Sequence, residues 1–262
     1  PRSTTTQRTH ADGVSWALTR ALSPRPSVRV AALDAYGQVL NTYTGHRRVA
    51  GDEPDRPWAV YLAGPDRRFR LLCFDLDAKT AGTAAAAERD SEVLTALLRD
   101  AGLPAVACRS GPAGGRHVWP AGAESVDAET VATLARLARH VCPTLDLSPL
   151  SNPVTGCVRP PGAPHRAGGR STVLSGDLHT LTTPTGTAAQ VRVLVEHLAQ
   201  LVDAAEPAHD LDPRIPLPLD EHARLYLPGP RREIPAVSAA ALREDAASGD
   251  ASAVLWRVLI GA

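Results

Sequence analysis

Two acids stand at the end of a hydrophobic run, in Leu71-Leu72-Cys73-Phe74-Asp75-Leu76-Asp77. A strand alternates its side chains, so Asp75 and Asp77 emerge on one face with Cα atoms about 7 Å apart. Two carboxylates held there repel each other unless a cation joins them. Mg²⁺ or Mn²⁺ completed by phosphate oxygens suits such a pair; the ordinary alternative is a solvated turn, where acids are common. The second group is Arg109-Ser110-Gly111-Pro112-Ala113-Gly114-Gly115-Arg116-His117. Its glycines expose backbone N–H groups and let a ligand approach closely. With Arg109, Arg116 and His117, these glycines make a cradle for phosphates, against the plainer reading of a glycine-rich hairpin. The third is Asp146, in Thr144-Leu145-Asp146-Leu147-Ser148-Pro149. Three carboxylates can hold two divalent ions, a pair suited to phosphoryl chemistry. By itself, Asp146 is also what a helix-exit turn would carry. Arg159 and His165 flank a proline-stiffened loop, Gly156 to Gly169, that can position phosphates or a base.

The surrounding pattern must place these groups. Phe69 to Phe74 reads as a buried strand. Thr83 to Ala101 reads as a helix with Val93, Leu94, Leu97 and Leu98 on one face, stopped by Gly102 and Pro104. Strands follow at Pro104 to Cys108 and His117 to Trp119. Asp127 is the expected N-cap of a helix to Val141, with Val131, Leu134, Ala135, Ala138 and Val141 as its apolar stripe. Short strands are expected near Leu145, Cys157-Val158 and Thr172 to Leu174. The order from Phe69 is β-α-β-β-α-β, a split βαβ module with its helices on one face of an antiparallel sheet. Ahead of it come a helix, Asp12 to Leu22, and two strands, Val28 to Leu33 and Trp58 to Leu62, joined by a polar loop. A last amphipathic helix spans Ala188 to Ala205.

The three motifs, in this order and context, resemble those of the archaeo-eukaryotic primase superfamily, in particular primase-polymerases of plasmids, phages and integrated elements. The matching residues are Phe74-Asp75-Leu76-Asp77, Ser110-Gly111 through Gly115-Arg116-His117, and Leu145-Asp146. The Arg159-Pro160-Pro161-Gly162-Ala163-Pro164-His165 stretch looks like the loop after the third motif in actinobacterial members. The resemblance covers Val28 to Leu201. It implies an α+β fold with an RRM-like split βαβ module, an N-terminal αβ module and small C-terminal helices. It implies Asp75, Asp77 and Asp146 as ligands of two Mg²⁺ or Mn²⁺ ions. Ser110, Gly114, Gly115, Arg116 and His117 would bind the triphosphate, with Arg159 and His165 assisting. The reaction implied is attack of a 3′-hydroxyl on an α-phosphate, on a single-stranded DNA template and with dNTPs or NTPs. A helicase domain or replication protein is the partner expected in that setting.

Composition bounds these expectations. The chain has 262 residues and 44% apolar residues, enough for a real core. Residues 1–205 are expected to form the catalytic core. Residues 206–235, with seven prolines, are expected to form a linker or wrapping arm, and residues 236–262 a helical C-terminal segment. The formal net charge is zero, so a nucleic acid must be held by a local basic surface. No apolar stretch approaches a membrane span, and the polar start lacks a signal-peptide core, which points to the cytoplasm. Cys73, Cys108, Cys142 and Cys157 are spaced unlike zinc ligands and are expected as buried free thiols. Lys79 is the only lysine among 28 basic residues, and a solvated role is expected for it. Two other functional readings share parts of the pattern. A haloacid-dehalogenase-type phosphatase has a strand followed by DxD but wants Thr or Val at the position of Lys79. A replication-initiator module would bind DNA without catalysis.

Overall fold

The computed structural model describes residues 10–78 and 83–205. Lys79, the 206–235 segment and the 236–262 segment lie outside the described residues. Helix α1 (His10–Leu22) leads into β1 (Ser27–Val30), β2 (Gly45–Arg48) and β3 (Trp58–Tyr61). These strands form one antiparallel sheet in the order β2-β1-β3-β8, where β8 (Cys157–Val158) comes from much later in the chain. Val28 and Val30 alternate inward, and α1 supplies Trp16, whose ring meets Trp58 edge-on at 5.4 Å. Trp58 Nε1 donates to Thr19 Oγ1 at 2.9 Å, so the buried indole is satisfied within that helix contact. Gly45–Arg48 was expected as loop. Its Gly-His-Arg-Arg sequence carries no strand pattern, and pairing along β1 makes it a strand.

The second sheet has the order β7-β4-β6-β5-β9 and is antiparallel throughout. Its strands are β4 (Phe74–Leu76), β5 (Ala105–Arg109), β6 (Arg116–Pro120), β7 (Leu145–Asp146) and β9 (Thr172–Ser175). The helix α2 (Ala84–Asp100) links β4 to β5, and α3 (Ala128–Val141) links β6 to β7. Because β6 lies between β4 and β5, this is the split βαβ arrangement expected from the sequence. Both helices begin on a side-chain cap, of which Asp127 was the expected one. Thr83 accepts from the Ala86 N–H, and Asp127 accepts from the N–H and hydroxyl of Thr130. Leu94 and Leu98 of α2, with Val131, Leu134 and Ala138 of α3, join Phe74, Leu76 and Val118 in one buried cluster. Each of these leucine, valine and phenylalanine side chains contributes about 1.5–3 kcal/mol on burial.

The strand carrying the first acids sits later than expected. Phe69 only bridges to Ala63 and Val126, and the regular pairing starts at Phe74. Asp75 is therefore inside the strand and Asp77 just beyond it. After β7, a single turn of helix, α4 (Ser148–Ser151), sends the chain across to the first sheet as β8. A second short helix, α5 (His179–Thr182), precedes α6 (Ala188–Ala205). Neither short helix has a periodic sequence signal. Among the described residues no helix is long and apolar enough to cross a membrane.

Candidate active site

Register brings the three motifs together. On β4, Asp75 lies opposite His117 of β6 on one side and opposite Asp146 of β7 on the other. Asp146, Asp75 and His117 therefore form a row across three adjacent strands, on the face opposite Phe74 and Leu76. Directly opposed residues have Cβ atoms about 4.5–5.5 Å apart, and like charges so placed are destabilising. His117 Nε2 lies 3.3 Å from Asp75 Oδ1. Burial pushes the Asp75 pKa up, but the imidazole's charge and hydrogen bond, with help from Arg159, outweigh it and hold the carboxyl below its ordinary range. Asp146 Oδ1 accepts from the Ser148 N–H at 2.9 Å and the Ser148 hydroxyl at 2.7 Å, which fixes its rotamer.

Two helices hold the strand ends that carry these acids. Asp90 of α2 accepts from both the N–H and the hydroxyl of Thr144, at 2.9 and 2.6 Å. The Thr144 carbonyl in turn accepts from the Asp77 N–H at 2.9 Å. Arg139 of α3 donates to the Leu145 carbonyl. The Asp77 and Asp146 backbones are thus tied to each other and to both helices.

The glycine-rich hairpin closes on itself through Ser110 N–H to Gly115 O, at 2.9 Å. A Cβ on Gly115 would stand 2.6 Å from Ser110 Oγ, and one on Gly111 would stand 2.5 Å from the ring of His165. Those two glycines let the hairpin lie against its own serine and against the later loop. His165 Nδ1 accepts from the Ala167 N–H at 3.0 Å, which makes Nε2 the protonated nitrogen of the neutral ring.

These groups line a cleft of about 420 Å³. Of the residues singled out from the sequence, Asp75, Asp77, Ser110, Gly115, His117, Asp146, Arg159 and His165 all border it. Arg116 and Gly114 do not. Alternation sends Arg116 to the face opposite His117. There it is buried, with Nη2 3.0 Å from Glu88 of α2 and Nη1 on the Gly114 carbonyl. Its role in the fold is to tie the hairpin to α2, a correction to the expected phosphate contact. Gly114 has φ +89°, and a Cβ there would stand 2.4 Å from Ala84 Cβ, so it serves the turn and its packing on α2.

Tyr43 and Arg166 border the cleft without having been anticipated. Tyr43 lies in the polar loop before β2, where no periodicity marks it. Burial pushes its phenol up to about 12, against the pull of Arg159. Arg159 follows β8, and burial draws its pKa down, as does the neighbouring Arg166, while Tyr43 and Asp75 oppose them. Its Nη1 is buried without a hydrogen-bond partner, and so is Nδ1 of His117. Unsatisfied buried donors are costly, at about 1–3 kcal/mol each, and an anion in the cleft would satisfy the Arg159 nitrogen. Carboxylates on β4 and β7 therefore meet guanidiniums on the loop after β8 across one concave space.

Among the described residues, no three His, Cys, Asp or Glu side chains are grouped so as to hold a metal ion by themselves. Mg²⁺ does not need such a group: it is held by one or two carboxylates together with substrate phosphates. The opposed carboxylates of Asp75 and Asp146 beside Asp77 fit that requirement.

No protein-family model matches the chain. No curated protein matches it. Among solved structures it is similar to the polymerase domain from Mycobacterium tuberculosis ligase D in complex with DNA, at 15% identity and a TM-score of 0.44, over 75% of this chain and 91% of that one. It is similar to primase RepB′, at 16% identity and 0.44, over 73% and 64%. It is also similar to the catalytic domain of primase RepB′ in complex with initiator DNA, at 16% identity and 0.40, over 75% and 99%.

Proposed function

We propose that the chain is a template-directed nucleotidyltransferase of the primase-polymerase kind. The observation that carries this reading is the division of the cleft into an acidic wall and a basic wall. Asp75 and Asp146 oppose each other with Asp77 alongside, while Arg159 presents a buried, unpartnered donor near Arg166. A nucleoside triphosphate with divalent cations has the matching charges: the cations suit the acids, and the phosphates suit the arginines. Asp75, Asp77 and Asp146 would hold two Mg²⁺ or Mn²⁺ ions. When bound, such ions sharpen the attacking hydroxyl and neutralise the leaving group. Ser110, the Gly115 backbone, His165 and Arg159 orient the triphosphate, and His117 holds Asp75. The 3′-hydroxyl gives up its proton to solvent as its oxygen attacks the α-phosphorus, the bond to the bridging oxygen breaks, and pyrophosphate leaves. The template that directs addition is single-stranded DNA, bare or primed, and replication of a mobile element is the setting the motif resemblance suggests.

The test is incorporation of labelled dNTPs or NTPs on single-stranded and primed DNA with Mg²⁺ or Mn²⁺. The expected result is metal-dependent product from the wild type and none from an Asp75→Ala/Asp77→Ala variant. Equal activity in both, or none in either, would end this reading. Extension of primed templates alone would remove the priming half of it.

A further inference from the structure

The connection between β1 and β2 is a two-stranded arm that the cleft chemistry does not use. Pairing continues beyond the sheet through Ala32 N–H to Thr42 O at 2.7 Å, Leu40 N–H to Ala32 O at 2.9 Å and Asp34 N–H to Gln38 O at 2.9 Å. At its tip, Gly37 takes φ +78°, and Asp34 Oδ1 accepts from the N–H groups of Tyr36 and Gln38 at 2.8 Å each. The tip is therefore a built turn. Yet its largest side chain, Tyr36, is 89% exposed, and Leu33 and Leu40 beside it are also exposed. An aromatic ring displayed on a pinned turn is a surface on which a flat group can stack.

Charge selects the partner. From Ala31 to Arg48 the only acid is Asp34, and it is turned onto the backbone. At the base of the arm, Arg29 lies opposite His46, and Arg48 follows two residues on, on the same face. Among the described residues no carboxylate pairs with Arg29, Arg47 or Arg48. Arg29 also lies opposite Ala59, which borders the cleft, and its Nη1 reaches the carbonyl of Thr155, another cleft residue. The other end of the arm is equally close: Asn41 and Tyr43 border the cleft, and Asn41 is five residues from Tyr36, at most about 17 Å of extended chain. An exposed ring, cations at the base and continuity with the cleft fit a chain of flat bases joined by phosphates. In a protein with zero net charge, Arg29, Arg47, Arg48 and His46 concentrate cations at the base of the arm, with Glu53 and Asp55 bordering His46 and Arg47 on one side.

We propose that the β1–β2 arm grips single-stranded polynucleotide where it enters or leaves the cleft. Tyr36 stacks on a base, and Arg29 and Arg48 face phosphates. This rests on the nucleotidyltransferase reading for its direction, but its test does not. The full chain, Tyr36→Ala, Tyr36→Phe and Arg48→Gln are titrated with fluorescein-labelled oligothymidylates of increasing length, by anisotropy at several salt concentrations and without nucleotide. Tyr36→Ala is expected to weaken binding about tenfold, and Tyr36→Phe to restore it, because stacking needs the ring and not the hydroxyl. Arg48→Gln is expected to reduce the slope of log K against log salt by about 0.7. Binding of a fluorescent nucleoside triphosphate should be unchanged in all three variants, since none of these residues borders the cleft. If Tyr36→Ala binds oligonucleotide like the wild type, or the wild type binds none, the arm proposal is overturned, whatever the incorporation assay shows. If the arm binds as expected but no nucleotide is incorporated, the enzymatic reading falls and the arm stands.

Discussion

Asp75 and Asp146 are register partners across a strand pair, a placement in which two like charges destabilise if their carboxylates approach. Relieving one of the two charges should therefore stabilise the metal-free protein while disabling it. Asp146→Asn keeps the oxygen that accepts from Ser148 and removes the charge. A cross-strand charge conflict is worth roughly 0.2–1 kcal/mol, and in a protein of this size 1 kcal/mol moves Tm by about 2–4 °C. The expected outcome is a Tm raised by about 1–3 °C in chelator, no further rise when Mn²⁺ is added, and loss of nucleotide incorporation. Thermal melts with and without Mn²⁺ check it; a lower Tm in chelator would show that the carboxylates are not in conflict. Gly111 gives a second test at this scale. A Cβ there runs into the His165 ring, so Gly111→Ala should displace the later loop and raise KM for the nucleotide by about tenfold or more, with a smaller effect on kcat. Steady-state kinetics would separate the two.

The acids are useful only if the strand ends that carry them stay in register, and the helices secure this. Asp90 accepts twice from Thr144, whose carbonyl accepts from Asp77. Asp90→Ala leaves a buried N–H and a buried hydroxyl unsatisfied, at about 1–3 kcal/mol, and frees the segment that holds Asp146. It should lower Tm by several degrees and raise the Mn²⁺ concentration needed for half-maximal activity. Asp90→Asn retains an acceptor and should recover most of both. Equal metal dependence in wild type and Asp90→Ala would make Asp90 a stability residue only. At this scale it is also clear what the sequence could reveal. The order of β4, α2, β5, β6, α3 and β7 was legible because the helices carry apolar stripes and the stop signal or cap at Gly102 and Asp127, and the strands lie in apolar runs. The acids and His117 were legible because their spacing is unusual within apolar runs. Arg116 was misplaced because a glycine-rich turn hides which face the next strand presents first, and a one-residue difference reverses the face. Strand β2 and Tyr43 were missed because a Gly-His-Arg-Arg edge strand and its loop take their structure from β1 rather than from any pattern of their own.

The cleft belongs to neither sheet alone: Asp75, His117 and Asp146 come from the second, Ala59 and Val158 from the first, and Arg159 from the loop that leaves β8. The chain makes this possible by crossing from β7 through α4 to β8, so that the residues after the third acid become the opposite wall. One buried cluster runs through both sheets, from Val28, Trp58 and Val60 to Phe74, Leu134 and Leu145. The two sheets should therefore unfold together, and the cysteines can report it. Cys73, Cys108 and Cys142 are buried with the second sheet, whereas Cys157 lies on β8 in the first. Burial raises all four thiols, Cys108 and Cys142 to about 12 and Cys157 to about 11. At pH 8 an ordinary thiol is about one-quarter thiolate. A thiol at about 11 has on the order of one part in a thousand, so alkylation of native Cys157 should be slower by about two orders of magnitude. In rising urea, all four should become reactive over one transition that coincides with the loss of helical circular dichroism. Mass-resolved labelling distinguishes the sites. If Cys157 reacted at a lower urea concentration than Cys73 and Cys108, the first sheet would open before the second, and the cleft wall carrying Arg159 would be lost while the acids stayed in place.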